Sequence, residues 1–341
     1  MDFLQGIEHL HTLDDATLIA FDSETTQLQP KMGGMRLVQL GAPGKLPVVL
    51  DCFSLDDNDW IEVEEFFNVE RTWVAHNAVF DLGWLQEHEI YPAGKVLCTM
   101  LASRILTNGM PNVKHGLQHL VKRYLHEDIS KEEQKSDWSG DLTESQLQYA
   151  AKDVLVLLDL YEQIQQRMAT GGLYPAWYLE CNALPAMAQL WRTGLPFNKQ
   201  DLTKLIESLD IEHYEVGEKF IEDFDAALPA GHKLSRGIDG KLLYQTKPGP
   251  KGKKPDGAVF NLNSPAQLLK KFTALLGEAP IDAKNGKPSA SRMALQEYVG
   301  DHKVVADYLR WKKVEKKRQM AETLLKNLAK DGFIRASYMQ M

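Results

Sequence analysis

Short apolar runs broken by glycine and proline open the chain. TLIAF (17–21), RLVQLG (36–41) and LPVVLD (46–51) predict consecutive strands of one sheet. WIEVEEFF (60–67) has a helical pattern, RTWVAHN (71–77) predicts a strand and a turn, and FDLGWLQEH (80–88) a helix. Alternation of this kind predicts an α/β domain with a mixed sheet flanked by helices. From Lys114 to Met168 the pattern is helical, with Leu117, Leu120, Val121, Tyr124 and Leu125 at helical spacing. A capping box, Thr143 to Gln146, opens the strongest helix of the chain.

GGLYP (171–175) predicts a domain boundary, which places one domain at 1–172 and a second, mainly helical region at 178–341. In that second region ECNALPAMAQLWRTG (180–194) and KQDLTKLIESLDIEHYEVGEKFIEDF (199–224) have helical patterns. SPAQLLKKFTALLG (264–277) has Ser264 placed to cap and Pro265 as first helical residue, and a last helix is expected from Asp301 to Lys330. Residues 246–257, TKPGPKGKKPDG, have almost nothing to bury and predict a mobile basic loop.

The composition suits a globular protein: 341 residues, 44% hydrophobic. No run approaches about 18 apolar residues, and MDFLQGIEHL lacks both the basic and the apolar part of a leader, so the expectation is a soluble, cytoplasmic protein with no membrane partner. Cys52, Cys98 and Cys181 are far apart and odd in number, which argues against a disulfide framework or a structural zinc site. The net charge of -8 conceals a division: residues 1–229 hold 17 Lys+Arg against 37 Asp+Glu, residues 230–341 hold 22 against 10. The basic part is the one suited to a polyanion.

Candidate chemistry begins at LIAFDSETTQL (18–28), where a buried strand runs into Asp22 and Glu24. At i and i+2 on a strand both side chains point to one face, so two carboxylates can share a cation. A solvated strand terminus is the other reading. Asn77 and Asp81 in HNAVFD, and Tyr149 and Asp153 in YAAKD, are each one helical turn apart. Asn77 could instead cap a helix, and Asp153 could face water, although Ala150, Ala151, Val154, Leu155 and Val156 surround it in sequence. Four carboxylates without a convergent Cys or His select hard cations, Mg²⁺ or Mn²⁺. Two such ions about 3.5–4 Å apart stabilise both oxygens of an in-line phosphoryl displacement, so the chemistry predicted is phosphodiester hydrolysis. His115 and His119 at i, i+4 lack a third ligand and are expected to be surface histidines.

FDSET, HNAVFD and YAAKD resemble, in order and separation, the three motifs of the tyrosine-bearing branch of the DEDD exonuclease superfamily. The resemblance implies a ribonuclease H-like α/β fold and 3′-to-5′ removal of nucleotides with two divalent metal ions. By motif position, Asp22 would bridge both metals, Glu24 and Asp153 would complete the tighter site, Asp81 would support the second, and Tyr149 would orient the attacking water. Leu28 matches an apolar wedge beside the terminal base, and Asn77 and Phe80 match positions lining the same pocket. The family often has Tyr at the position of Phe80.

ALPAMAQLWRTGLPFN (183–198), FNLNSPAQLLKKF (260–272) and the segments from 287 to 328 resemble the connecting helix and thumb of family A DNA polymerases. Lys312, Lys313, Lys316, Lys317 and Arg318, with Lys247, Lys251, Lys253 and Lys254 of the basic loop, suit duplex phosphates, unless they are simply a solvated face. The sequence stops at FIRASYMQM, before any counterpart of a palm or fingers. No polymerase activity is expected from this chain alone; either it is a piece of a longer polymerase or a second chain supplies the palm. The partners implied are a single-stranded 3′ DNA end and primer–template DNA. The leading expectation is therefore a proofreading 3′-to-5′ DNA exonuclease. The alternatives are a ribonuclease D-like RNA exonuclease and a non-catalytic DNA-binding module.

Overall fold

The computed structural model describes residues 2–129, 133, 136–245 and 259–336. It divides into two compact units, one reaching Leu195 and resuming at Arg335, the other spanning Pro196–Ile334.

The first unit is built on a six-stranded mixed sheet. Its strands are β1 (Leu4–Gln5), β2 (Leu18–Thr25), β3 (Met35–Gly41), β4 (Val48–Asp51), β5 (Arg71–Ala75) and β6 (Gly94–Cys98), in the order β1-β4-β3-β2-β5-β6. Only β3 runs against the rest. The chain leaves β2 toward β3 and β4 on one side and returns to β5 and β6 on the other. The C-terminal end of β2 is thus where the strand order reverses, the usual place for a site in an open α/β sheet.

Helices α1 (Asp57–Phe67), α2 (Val79–Glu87), α3 (Thr99–Leu106), α4 (Leu117–Tyr124), α5 (Glu144–Thr170), α6 (Tyr174–Asn182) and α7 (Leu184–Thr193) surround the sheet. One anchor is Trp73 of β5, fully buried, with Phe67 stacked 4.7 Å away and Phe21 edge-on at 6.1 Å. Aromatic pairs of this kind add about 0.5–1.5 kcal/mol each beyond their buried area. The capping box of α5 forms as expected, Thr143 accepting from the Gln146 amide at 3.2 Å while Gln146 accepts from the Thr143 amide.

Several elements differ from the sequence pattern. The helical reading of 114–168 holds for α4 and α5 only, because α4 ends at Tyr124. Strand β6 and helix α3 carry no strong periodic signal, and the structure adds them. The first unit also extends past 172. Trp177, Cys181, Leu184, Ala188 and Trp191 of α6 and α7 join the core beneath β6 and α2, so the two glycines at 171–172 mark a corner within the unit. Trp177 donates from Nε1 to the Cys98 carbonyl at 3.0 Å and stacks on Tyr174 and Tyr178.

The second unit pairs two long helices, α8 (Lys199–Ala227) and α11 (Lys303–Lys326), with α9 (Pro265–Leu276) and α10 (Arg292–Leu295) beside them. Phe220, Phe224, Phe272, Tyr308 and Trp311 form its aromatic core. Ser264 caps α9 with Pro265 in its first turn, and α11 is shorter at both ends than 301–330. The basic loop at 246–257 lies outside the described residues. Among the described residues no helix is long and apolar enough to cross a membrane.

If α6 belongs to the first unit's core, Trp177→Ala should cost about 3–5 kcal/mol of stability, as aromatic truncations in cores do. Denaturant unfolding checks this; a loss below about 1 kcal/mol would mark 174–195 as peripheral.

Candidate active site

Three acids meet at the end of β2. One carboxylate oxygen from each of Asp22, Glu24 and Asp153 lies within 4.8 Å of the others. The strand supplies Asp22 and Glu24 on one face, and α5, packed across β2 and β3, supplies Asp153 from a buried position. Asp81 comes from the first turn of α2, almost fully buried, and accepts a hydrogen bond from the Ser23 hydroxyl at 2.7 Å. Tyr149 stands one turn before Asp153, its hydroxyl close enough to interact with the Asp153 carboxylate. The structure therefore brings together all four predicted acids and the tyrosine.

The turn that leads into α2 is set by Asn77. Its φ of 62° is left-handed, a conformation asparagine tolerates better than most residues. Its carbonyl accepts from the Phe80 amide at 2.8 Å, and Ala78 occupies the cap position, so Asn77 does not cap the helix. This sharp turn joins β5 to α2 and aims Asp81 at the strand end. Phe80 is partly buried in the same turn. Leu28 stands in the loop after β2 with 78% of its surface exposed.

Two neighbours of the acids had weaker sequence signals. Gln39, directly opposite Asp22 on β3, is fully buried and donates from Nε2 to Asp22 Oδ2 at 2.9 Å, while its own carbonyl oxygen has no hydrogen-bond partner among the described residues. A glutamine in the middle of RLVQLG was the available clue, since a buried amide needs a partner. Ser23 was hidden inside FDSET by its two acidic neighbours. His115 is engaged rather than loose on the surface, its Nδ1 lying 3.0 Å from Ser103 Oγ.

The donors that reach the acids, Gln39, Ser23 and Tyr149, are neutral, so proximity drives protons on. Burial, then the charges of Asp81, Glu24 and Asp153, hold Asp22 well above the ordinary carboxylate range. Burial, with Asp153 and Asp81, pushes Glu24 to about 9. Burial raises Asp81 to about 7 against the Ser23 hydrogen bond, and Asp153 to about 6 against the Tyr149 hydrogen bond and the Lys152 charge. Burial and the same acids raise Tyr149, which keeps its proton. Burial holds His76, at the end of β5, down near 4, so it stays neutral. An all-oxygen, proton-rich cluster of this kind suits a divalent cation, which replaces the protons.

The basic residues of α11 divide. Lys313, Lys316 and Lys317 are exposed at i, i+3, i+4 spacing. Lys312 donates to Asn263 Oδ1 at 3.1 Å and lies 5.0 Å from the Trp311 ring. Arg318 is nearly buried, paired with Asp210 and with Glu322 at 2.9 Å, and 3.6 Å from Glu315. It holds α8 to α11, and its guanidinium is already occupied. Lys247, Lys251, Lys253 and Lys254 lie outside the described residues.

Residues 7–169 match the 3′-5′ exonuclease family. DNA polymerase I of Aquifex aeolicus is 26% identical over 304 residues, 81% of this chain and 50% of that protein. A ribonuclease D of Shewanella is 47% identical over 166 residues, 46% of this chain and 40% of that protein. The chain thus spans half or less of the length of these relatives. Among solved structures, the POL domain of Pol1 from M. smegmatis, in complex with DNA primer-template and dNTP, superposes with a TM-score of 0.68 at 16% identity. That match covers 97% of this chain and 50% of the other, and it shows likeness of fold. The chain is therefore similar to a 3′-5′ exonuclease family over residues 7–169 and to DNA polymerase I over most of its length, and its fold, helical C-terminal part included, is like that of the Pol1 POL domain.

The raised carboxylates fix the sign of a pH effect. In the metal-free protein their stabilising contribution is complete below about pH 4, the unfolded value, and is lost as pH rises through 6, 7 and 9. Mg²⁺ or Mn²⁺ should therefore raise the melting temperature more at pH 8.5 than at pH 6, about these values. Without cation, Asp22→Asn should stabilise the protein by about 1–2 kcal/mol at pH 8, seen as a rise of about 2–8 °C. A fall in melting temperature would contradict the repulsion.

Proposed function

We propose that the exonuclease domain of this chain hydrolyses DNA from its 3′ end, as the proofreading part of an enzyme of the DNA polymerase I type. The observation that carries this is the convergence of Asp22, Glu24 and Asp153 within 4.8 Å at the end of β2, with Asp81 and Tyr149 beside them. Asp22, Glu24 and Asp153 would hold one divalent cation, and Asp22 with Asp81 a second. Two such ions, when bound, stabilise the attacking and leaving oxygens of a phosphodiester. Tyr149, kept protonated and tied to Asp153, offers its hydroxyl oxygen to orient the attacking water. Leu28 presents an exposed apolar side chain to the terminal base, and Asn77 and Phe80 line the pocket for the last nucleotide.

DNA is favoured over RNA because the likeness to DNA polymerase I continues well past the exonuclease segment, while the ribonuclease D match stays within about half the chain. Lys313, Lys316 and Lys317 on one exposed stretch of α11 fit duplex phosphates. In this reading a palm and fingers, on the same or a separate chain, pass mispaired 3′ ends to the site. The second reading, a ribonuclease D-like RNA exonuclease, is favoured by the higher identity to the Shewanella protein.

Matched single-stranded DNA and RNA of one sequence, with Mg²⁺ present, should be degraded from the 3′ end with DNA the faster; a strong RNA preference reverses the order of the two readings. Asp22→Ala combined with Asp153→Ala should abolish degradation of both, a loss of at least about 10⁴-fold for a site whose groups act as a unit. Full activity in that double variant would sink the mechanism. Replacing Lys313, Lys316 and Lys317 by alanine should weaken duplex binding and flatten its salt dependence by about 0.9 in log K per log salt for each phosphate no longer neutralised. Arg318→Ala should instead lower stability.

A further inference from the structure

Helix α7 lies beyond the residues that match the exonuclease family, yet it packs against the helix that carries Phe80 and Asp81. Its packing is specific. Trp191 enters a notch in α2 left by Gly83: a Cβ at that glycine would lie 2.4–2.5 Å from two carbons of the indole ring, so no other residue leaves the ring where it is. From the notch Trp191 reaches Phe80, ring centroids 5.6 Å apart and tilted by 39°. Trp84 lies 6.4 Å from Phe80. Trp191 is buried at 7% exposure, whereas Phe80 is only partly covered. The indole and Trp84 thus support one side of a ring that is still open to solvent.

The next residue makes a second tie. Arg192 pairs with Glu87 at 3.1 Å, and Glu87 pairs with Lys31 at 2.5 Å. Lys31 stands in the turn Pro30–Met32 that follows Leu28 and packs on α2, and Pro30 is its buried foot. A third tie runs from Gln86, buried, whose Nε2 donates to the Pro185 carbonyl at 3.0 Å. One short helix therefore supports Phe80 directly and is tied, through Glu87 and Lys31, to the turn that follows Leu28.

We propose that Trp191 is a positioning residue for the 3′-terminal nucleotide, acting through Phe80, and that the exonuclease pocket is complete only with α7. The proposal rests on the exonuclease reading above. A ring free to swing would give the terminal sugar or base no fixed face; held by the indole at the Gly83 notch, Phe80 presents one orientation before substrate arrives. The effect falls on binding, since Asp22, Glu24 and Asp153 sit on β2 and α5, and Asp81, beside Phe80 on α2, is tied to β2 by the hydrogen bond it accepts from Ser23.

The test is a double-mutant cycle on the full chain, with kcat and KM measured on a short single-stranded DNA and melting temperature measured alongside. Trp191→Met, which keeps apolar bulk without a ring, should raise KM about tenfold with kcat within about twofold, the scale expected of a small misplacement. In a Phe80→Ala background the same change should add less than about twofold, because the indole acts only through Phe80. Trp191→Phe should recover most of the loss. Gly83→Ala displaces the indole from the opposite side and serves if Trp191→Met fails to fold; it should give the same KM increase and the same dependence on Phe80. The cation-induced rise in melting temperature should be unchanged in every variant. Equal, multiplying effects on KM with and without Phe80, a fall in kcat at constant KM, or an unchanged KM in Gly83→Ala would overturn the proposal. A wild-type protein inactive on DNA and RNA alike would sink the exonuclease reading, and this inference with it.

Discussion

Like charges crowded at one strand end are the constraint on which the first unit depends. Two carboxylates about 4 Å apart repel by roughly 4 kcal/mol at the effective dielectric of a protein site, and three here converge with a fourth nearby. A flexible chain would simply move them apart. Keeping them together requires a scaffold stiff enough to resist that force, with protons or cations to neutralise what the scaffold cannot.

The stiffness comes from where the acids are mounted. Asp22 and Glu24 are paired with β3, opposite Gln39 and Leu37, and the strand that carries them is anchored to β5 just before, at Leu18–Ala20. Asp153 sits in the first half of a 27-residue helix whose apolar side chains are buried against the sheet. Asp81 is fixed by a turn that needs a left-handed asparagine. Neutral donors do the fine aiming: Gln39 and Ser23 orient carboxylates without cancelling their charge, so the attraction for a cation is retained. The core below, with Trp73 between Phe21 and Phe67, holds the strand that carries the pair.

What could be read from the sequence was what is local. The alternation on β2 and the one-turn spacings on α2 and α5 place carboxylates on defined faces before any tertiary contact is known, so the four acids and Tyr149 were legible. Gln39 was not, because its role exists only through its register opposite Asp22. Trp191 was not, because its meaning depends on Gly83, more than a hundred residues earlier. Arg318 was misjudged for the same reason: in sequence it is one more cation in a basic run, and in the fold Asp210, Glu315 and Glu322 surround it. The glycine pair at 171–172 was correctly seen as a break, but whether a break separates domains depends on what the following helix buries. Trp177 and Trp191 decide that in favour of the first unit.

The charge division along the chain takes on a physical sense in this light. Under the proposed function, a site made of acids repels the polyanion it would cut, and residues 1–229 as a whole carry a large excess of negative charge. Divalent cations can neutralise the reacting phosphate locally, but their reach is limited to about a Debye length, roughly 8 Å at physiological salt. Attraction over longer distances must come from elsewhere, and residues 230–341, with 22 basic side chains against 10 acidic, are the part able to supply it. Under the proposed function, long-range attraction and chemistry are then properties of separate segments. Salt should weaken capture of the nucleic acid through the basic segment, while the acids of β2, α2 and α5 set what happens to an end already bound.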